Sequence, residues 1–350
     1  MTGSGVWFFP EENNVIMRAY MENDIYDFLI IGSGASGLSA ALYAGRYRLR
    51  TLVVIGPEFG GATALAGEIW NYPGSLSGDS YALMKDMRKQ AEDNGAEMQN
   101  GLVTSLKREG DCYFADIRKT KDSQEVSRKV MAKSVLLATG AERKKLGLAR
   151  EDELKGKGVH YCVTCDGPVY TGKIIAIVGG GDASAKGAIL SAQYASKIYL
   201  LVRGDKMRAE PSNQERLKDL GEKVEILWNT EIKELQGEQK LETLLLTKEH
   251  NGSPALPVDG LFVEIGALPS VALAKDVGAE LDPLGYVAVT PTMHTNVQGF
   301  YAAGDTVNLF GAFKQTITSA AMGTVAATSA YDYVQKNGKN LCKIHEKVVE

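Results

Sequence analysis

Two glycine turns constrain the fold of this chain more than any other feature. Tyr26-Asp27-Phe28-Leu29-Ile30-Ile31 is a short apolar run suited to a buried parallel strand, and Gly32-Ser33-Gly34-Ala35-Ser36-Gly37 follows it at once. Leu38 to Tyr47 is Ala- and Leu-rich and helical in character, and Thr51 to Ile55 is a second strand, completing a βαβ unit. In that context the glycines have separate tasks: Gly32 makes the tight turn, Gly34 lets the backbone approach a pyrophosphate, and Gly37 allows close helix–strand contact. The helix N-terminus then faces the phosphates. The competing reading is a glycine-rich turn without a ligand. The arrangement recurs at Lys173 to Val178, which leads into Gly179-Gly180-Gly181-Asp182-Ala183-Ser184, a helix through Ala195 and a strand from Ile198 to Val202. Two such units predict an α/β protein with two Rossmann-like dinucleotide-binding domains, and 350 residues suffice for two packed cores.

The rest of the chain fills in around these units. Tyr81 to Asn94 reads as an amphipathic helix, and Leu102 to Ala132 as three antiparallel strands broken at Arg108-Glu109-Gly110 and Lys121-Asp122-Ser123. Ser134 to Ala138 is a buried strand ending in Thr139-Gly140, and Val224 to Val263 is expected to form a second β layer. Irregular sequence then leads to Gly299-Phe300-Tyr301-Ala302-Ala303-Gly304-Asp305, and an Ala-rich helix from about Gln315 to Gln335 closes the fold. Residues 1–22, with their Val-Trp-Phe-Phe-Pro patch, lack clean periodicity and are read as an extension outside the core.

Between the two units lies His160-Tyr161-Cys162-Val163-Thr164-Cys165-Asp166-Gly167. A C-x-x-C pair can close a small disulfide ring, and at a helix start the free N–H groups and the dipole stabilise a thiolate. Such a pair can hand two electrons to a partner. A zinc half-site from His160, Cys162, Cys165 and Asp166 is the alternative, but no second C-x-x-C or H-x-x-x-H accompanies it. Four cysteines are too few for a disulfide scaffold, and Cys112 and Cys342 are read as incidental. A net charge of -4 gives no general attraction to nucleic acid or anionic lipid, and Arg143-Lys144-Lys145 reads as solvated surface. No run of ~18 apolar residues predicts a membrane span. With acidic Glu11 and Glu12 near the N-terminus, a cytoplasmic protein is expected.

Further motifs give the chain a family likeness. They are Gly60-Gly61 with Asn71-Tyr72-Pro73-Gly74, Ala138-Thr139-Gly140, Ile265-Gly266-Ala267-Leu268-Pro269, and Ala302-Ala303-Gly304-Asp305 with Lys314-Gln315. Together with the C-x-x-C stretch they resemble the low-molecular-weight thioredoxin reductases, FAD-dependent pyridine nucleotide-disulfide oxidoreductases, from about Tyr26 to Tyr333. The resemblance implies a discontinuous FAD-binding domain, 23–141 and 268–335, with a nicotinamide domain, 142–267, inserted and carrying the dithiol, and a tail, 336–350. It assigns Gly32, Ser33, Gly34, Ala35, Ser36 and Gly37 to FAD, joined by Gly56, Gly61, Asn71, Val103, Thr139 and Gly140. From the C-terminal segment it adds Gly304, Asp305, Lys314, Gln315 and Thr316. The absence of an acid after Val53-Val54-Ile55-Gly56 also fits, since the family commonly has Gly there. Electrons are implied to pass from nicotinamide to flavin to the Cys162–Cys165 disulfide and on to thioredoxin or a similar small protein. Cys165 is then the thiol that meets the flavin, Cys162 the one that attacks the partner, and Asp166 the acid. A homodimer is implied as well.

The second glycine unit departs from the family pattern. NADP is expected on Gly179, Gly181, Asp182, Ala183, Ser184 and Gly266, with Arg203 and Arg208 as half of the usual 2′-phosphate clamp. Ser184 replaces the usual third glycine or alanine, and Lys186-Gly187 stand where the family presents a Glu-Glu pair. NADPH is the first expectation as donor. NADH, ferredoxin or reduced flavin stay open, as does a redox-sensing flavoprotein with little turnover.

Overall fold

The structure is a computed structural model that describes residues 25–66, 69–120, 122–123, 125–311, 313–338 and 341–342. The extension read from the sequence, 1–22, lies outside them. The chain forms two compact units, one from residues up to Ala141 and from Pro269 onward, the other from Glu142–Leu268.

The first unit is built on a parallel sheet in the order Phe300–Ala302, Val135–Leu137, Phe28–Ile31, Thr51–Ile55, Glu97–Asn100. Every residue of the first four strands is buried, and all are apolar but Thr51, whose hydroxyl donates to Leu49 O at 3.0 Å, as strands covered on both faces require. Polar Glu97–Asn100 sits at the sheet edge. Helix Ala35–Arg46 presents Ala40, Ala41 and Ala44 to the same core as Met322, Ala326, Ala327 and Ala330 of the closing helix Thr316–Asn337. Small side chains on both helices allow the close approach, and Gly323 sets its limit: a Cβ there would stand 2.0 Å from the Ser36 carbonyl oxygen. Helix Ser80–Asp93 starts one residue earlier than predicted, because the Asp79 carboxylate accepts the Ala82 N–H at 2.9 Å.

Leu102–Glu109, Cys112–Arg118 and Val126–Ala132 form the predicted antiparallel strands, with Ile25–Tyr26 added parallel to the last. The first runs through Arg108-Glu109, and the chain reverses instead at Gly110-Asp111, where Gly110 takes a left-handed φ of 58°. Cys112 and Cys342 are not incidental. They form a disulfide, with Cα atoms 4.8 Å apart, that ties residues 230 apart in sequence within this unit. The bond lies in a small apolar cluster with Phe114 and Met131.

The second unit has a parallel sheet in the order Val159–His160, Gly260–Val263, Ile174–Val178, Lys197–Val202, Val224–Trp228. Alternate side chains of its middle strand serve two layers. Ile175 and Ile177 pack with Ala185 and Ala188 of helix Asp182–Ser191, while Ala176 and Val178 pack with Leu235, Leu244 and Leu256. Those leucines belong to an antiparallel sheet, Ile232–Gln236, Thr243–His250 and Ser253–Pro257. The expected β layer from Val224 to Val263 is therefore shorter than predicted. Its first and last strands join the parallel sheet, a difference that strand composition does not encode.

Candidate active site

The dithiol stands at a helix start in the second unit. Cys162 is the N-cap of the short helix Val163–Asp166, in extended conformation, and its sulfur accepts the Cys165 N–H at 3.2 Å. Cys162 and Cys165 are joined as a disulfide. Cys165 is exposed and Cys162 half-buried, with Val163 between them turned inward. Asp166 is fixed by a neighbour: its Oδ2 lies 3.0 Å from His160 Nδ1. His160 Nε2 is in turn 2.7 Å from the Tyr170 hydroxyl, and the imidazole stacks on Phe262 with ring centroids 5.4 Å apart. Burial, reinforced by Asp166 and Asp259, raises Tyr170 above its ordinary value, so it keeps its phenolic proton. Among the described residues no group of three or more His, Cys, Asp or Glu is placed to hold a metal ion.

In the first unit the sequence-distant motifs gather around one glycine turn. Gly32 has a φ of 114°, and a Cβ there would meet the Ala138 carbonyl oxygen at 2.3 Å, while one on Gly37 would meet Gly32 O at 2.0 Å. Gly34 faces open space. It is the N-cap of helix Ala35–Arg46, which has no side-chain cap and no acid in its first turn, so the N-terminal N–H groups are left for an anion. Gly60 N–H reaches Ser33 Oγ at 3.4 Å, and a Cβ on Gly61 would be 3.7 Å from Gly34 Cα. Gly304 takes a left-handed φ of 78°, and a Cβ there would press on Ser36 Oγ at 2.6 Å. Asn71 Nδ2 donates to Gln315 Oε1 at 3.0 Å, Thr63 and Thr316 hydroxyls are 3.3 Å apart, and Thr139 Oγ1 donates to Ser270 O at 2.9 Å. Asp305 is pushed up by burial, against the pull of Lys314. Lys314 is pushed down by burial; it donates to the Val307 carbonyl and sits 4.2 Å from the Tyr286 ring centroid. Gly56 follows the strand Thr51–Ile55 and faces open space, and Gly140 lies in a left-handed turn, φ 67°. Val103 is different: its side chain is buried in the core, leaving its backbone as what it can offer a ligand. The open space at Gly34, the uncapped N–H groups and the absence of an acid fit a dinucleotide pyrophosphate, which is the group FAD would place here.

The second glycine turn is built on the same plan. Gly179 has a φ of 146°, a Cβ there would meet Glu264 O at 2.2 Å, and Gly181 N-caps helix Asp182–Ser191 without a side-chain bond. Ser184 fits the tight position because its buried hydroxyl donates to Gly181 O at 2.8 Å. Asp182 accepts from Glu210 N–H and Asn213 Nδ2, both at 2.8 Å, and so braces the loop that carries Arg208. The Arg208 N–H bonds Gly180 O at 2.6 Å, while the Arg203 and Arg208 side chains are exposed. Ala183 and Lys186 are exposed on the helix, and Gly266 lies past the Gly260–Val263 strand in a left-handed conformation, φ 104°. Gly187 has a packing reason: a Cβ would meet Val163 Cγ2 at 2.9 Å, so the helix closes on the dithiol segment only where no side chain intervenes.

Three contributors were not visible in the sequence. Glu151 is buried, accepts the N–H groups of Leu146 and Gly147 at 2.8 and 2.7 Å, and takes the Tyr161 hydroxyl at 2.6 Å, anchoring the residue before Cys162. Arg143 is not plain surface, since its guanidinium reaches the buried Glu264 carboxylate at 2.9 Å. Tyr170 is the third, through His160.

The comparisons agree with this geometry. The sequence profile of the pyridine nucleotide-disulphide oxidoreductases matches residues 26–327. A thioredoxin reductase of Treponema pallidum (strain Nichols) is 37% identical over 319 residues, covering 90% of this chain and 98% of that one. One of Bacillus subtilis (strain 168) is 35% identical over 317 residues, with coverages of 90% and 96%. Among solved structures, Lactococcus lactis thioredoxin reductase (FR conformation) superposes with a TM-score of 0.81 at 30% identity, covering 89% of this chain and 99% of that chain. The T. acidophilum thioredoxin reductase gives 0.80 at 30% identity, with coverages of 88% and 98%. Two glycine turns, a helix-capping disulfide with its adjacent acid, and this likeness along nearly the whole length place the chain in the pyridine nucleotide-disulphide oxidoreductase family, among the low-molecular-weight thioredoxin reductases.

Proposed function

We propose that the protein is an FAD-dependent thioredoxin-disulfide reductase that takes electrons from NADPH. The observation that carries this reading is the Cys162–Cys165 disulfide at a helix start beside Asp166, in a chain with two glycine turns. FAD, when bound, supplies the two-electron link between nicotinamide and dithiol. Gly32–Gly37 would hold its pyrophosphate, and Asn71, Thr139, Gly304, Asp305 and Gln315 would line the rest of its site. Cys162 attacks the partner disulfide, Cys165 closes the ring behind it, and Asp166 manages the proton. Arg203 and Arg208, exposed on either side of a loop tied to Gly180, favour a 2′-phosphate. Among the described residues no helix is long and apolar enough to cross a membrane.

A second reading concerns the donor. Lys186 and Gly187 stand where the family presents a Glu-Glu pair near the nicotinamide, and without those carboxylates reduced ferredoxin or reduced flavin is the other candidate donor. Flavin reduction under anaerobic mixing decides between them. Full-length protein, purified with its flavin, should be reduced by NADPH and then turn over thioredoxin and DTNB. Failure with both nicotinamides and success with a reduced ferredoxin would replace the donor. No disulfide turnover with any donor would leave a redox sensor.

A further inference from the structure

We propose that His160 is a positioning residue of the dithiol centre, which fixes Asp166 and shares the proton that Asp166 exchanges with the two sulfurs. The inference rests on the reductase reading and concerns the same site. His160 ends the strand Val159–His160, where it pairs with Phe262 of the neighbouring strand, and its side chain is only 11% exposed. Both ring nitrogens are engaged, Nδ1 with Asp166 Oδ2 at 3.0 Å and Nε2 with the Tyr170 hydroxyl at 2.7 Å. Tyr170 is itself seated without slack, since a Cβ on Gly260 would meet its ring at 2.4 Å. A hydroxyl donating to Nε2 leaves the neutral imidazole with its proton on Nδ1, aimed at the carboxylate. Tyr170, His160 and Asp166 thus form one directed chain that ends at the residue following Cys165.

The groups facing the imidazole are few. Asp166 comes from the dithiol helix and Tyr170 from the turn after it, while the neighbouring strand contributes the ring of Phe262. Behind Tyr170 stand Lys173, 5.5 Å from its ring, and Asp259. The Asp166 side chain is 43% exposed, so solvent reaches the carboxyl from one side while the imidazole fixes it from the other. A group that must receive and return protons at fixed sulfurs does gain from being held in one direction.

The exchange balances as follows. The Cys162 thiol passes its proton to the Asp166–His160 pair, and its thiolate attacks one sulfur of the partner. A Cys162–partner bond forms, the partner S–S bond breaks, and the departing thiolate takes the proton from Asp166. Cys165 then gives its proton to the pair and attacks Cys162 Sγ, so that the Cys162–Cys165 bond forms and the mixed disulfide breaks. The second partner thiolate takes that proton. Two electrons and two protons leave the dithiol, which is oxidised, and the pair ends as it began.

Alkylation of the reduced, flavin-loaded, full-length protein by iodoacetamide tests this across the range in which imidazole and thiols titrate. The wild type should show two inflections in rate against pH. His160→Gln should lose the lower one, and Tyr170→Phe should displace it without abolishing it. In steady-state thioredoxin reduction, His160→Gln should lower kcat about ten-fold at neutral pH with KM unchanged, less than the 10²–10⁴ typical of losing an acid outright. A folded His160→Gln with the wild-type pH profile overturns the proposal. If that variant does not fold, Tyr170→Phe decides, because it keeps the ring in its seat: an unchanged profile overturns the proposal too. Alkylation needs no partner protein, so the expected profiles without thioredoxin turnover would support the role of His160 and overturn the choice of substrate.

Discussion

Cys162 and Cys165 share a chemistry and differ in place, one half-buried as a helix cap and accepting an N–H, the other exposed beside Asp166. If Cys162 meets the partner, Cys165→Ser should trap a mixed disulfide with thioredoxin and Cys162→Ser should not, though both lose turnover; non-reducing mass spectrometry distinguishes them, and trapping by the opposite variant would reverse the roles. Arg203 and Arg208 carry the donor prediction. A charge-assisted contact contributes roughly 1.5–3 kcal/mol, so Arg203→Ala or Arg208→Ala should raise the NADPH KM about ten-fold or more and leave NADH nearly unchanged. Equal changes with both nucleotides would mean that the arginines read no 2′-phosphate. Glu264 offers a pH test. Burial raises its carboxyl above the ordinary range, with Arg143 pulling it down. Between the ordinary value and the raised native one, the folded protein keeps a proton that the unfolded chain has released, so this group makes stability fall as pH rises through that window. Glu264→Gln should flatten that part of the urea-stability curve; an undiminished slope would assign it to other groups.

At the scale of elements, the closing helix and the glycine-turn helix depend on each other. Gly323 lets Thr316–Asn337 lie against the Ser36 backbone, in the turn that would face the pyrophosphate. Beyond that helix, the Cys112–Cys342 bond ties the chain back to the antiparallel strands. Because it spans 230 residues, the cross-link restricts the unfolded ensemble strongly, and its removal should cost roughly 2–5 kcal/mol. Cys342→Ser should lower the denaturation midpoint of oxidised protein and make it insensitive to added reductant. Equal midpoints for variant and wild type under oxidising conditions would show that the bond adds no stability.

The whole molecule presents an apolar groove on its first unit. It is a cavity of about 270 Å³ lined by Leu42, Tyr43, Met87, Ile317, Ala320 and Ala321, and Tyr43, Ile317 and Val325 remain exposed at 39%, 37% and 37%. Apolar surface of this kind on paired helices suits burial against a second copy, in line with the expected homodimer. Light scattering at micromolar concentration should give twice the chain mass, and Ile317→Asp should return it to monomer; a monomeric wild type would remove this expectation.

What the sequence determined by itself is local: strand, glycine turn and helix follow one another within a few residues, and their apolar periods and turn chemistry are written along the chain. The α/β class, both glycine turns, the meander after Leu102 and the helix-start dithiol were legible for that reason. The family likeness added what spacing alone does not contain, above all the division of labour between the two thiols. Only the tertiary structure decided which distant surfaces meet. Cys112 finds Cys342, Gly304 closes on Ser36, Gly187 admits Val163, and His160 receives Asp166 on one nitrogen and Tyr170 on the other. No period or spacing encodes these contacts, because each depends on the order of strands in a sheet and on which faces pack together, and those are set by burying the core as a whole.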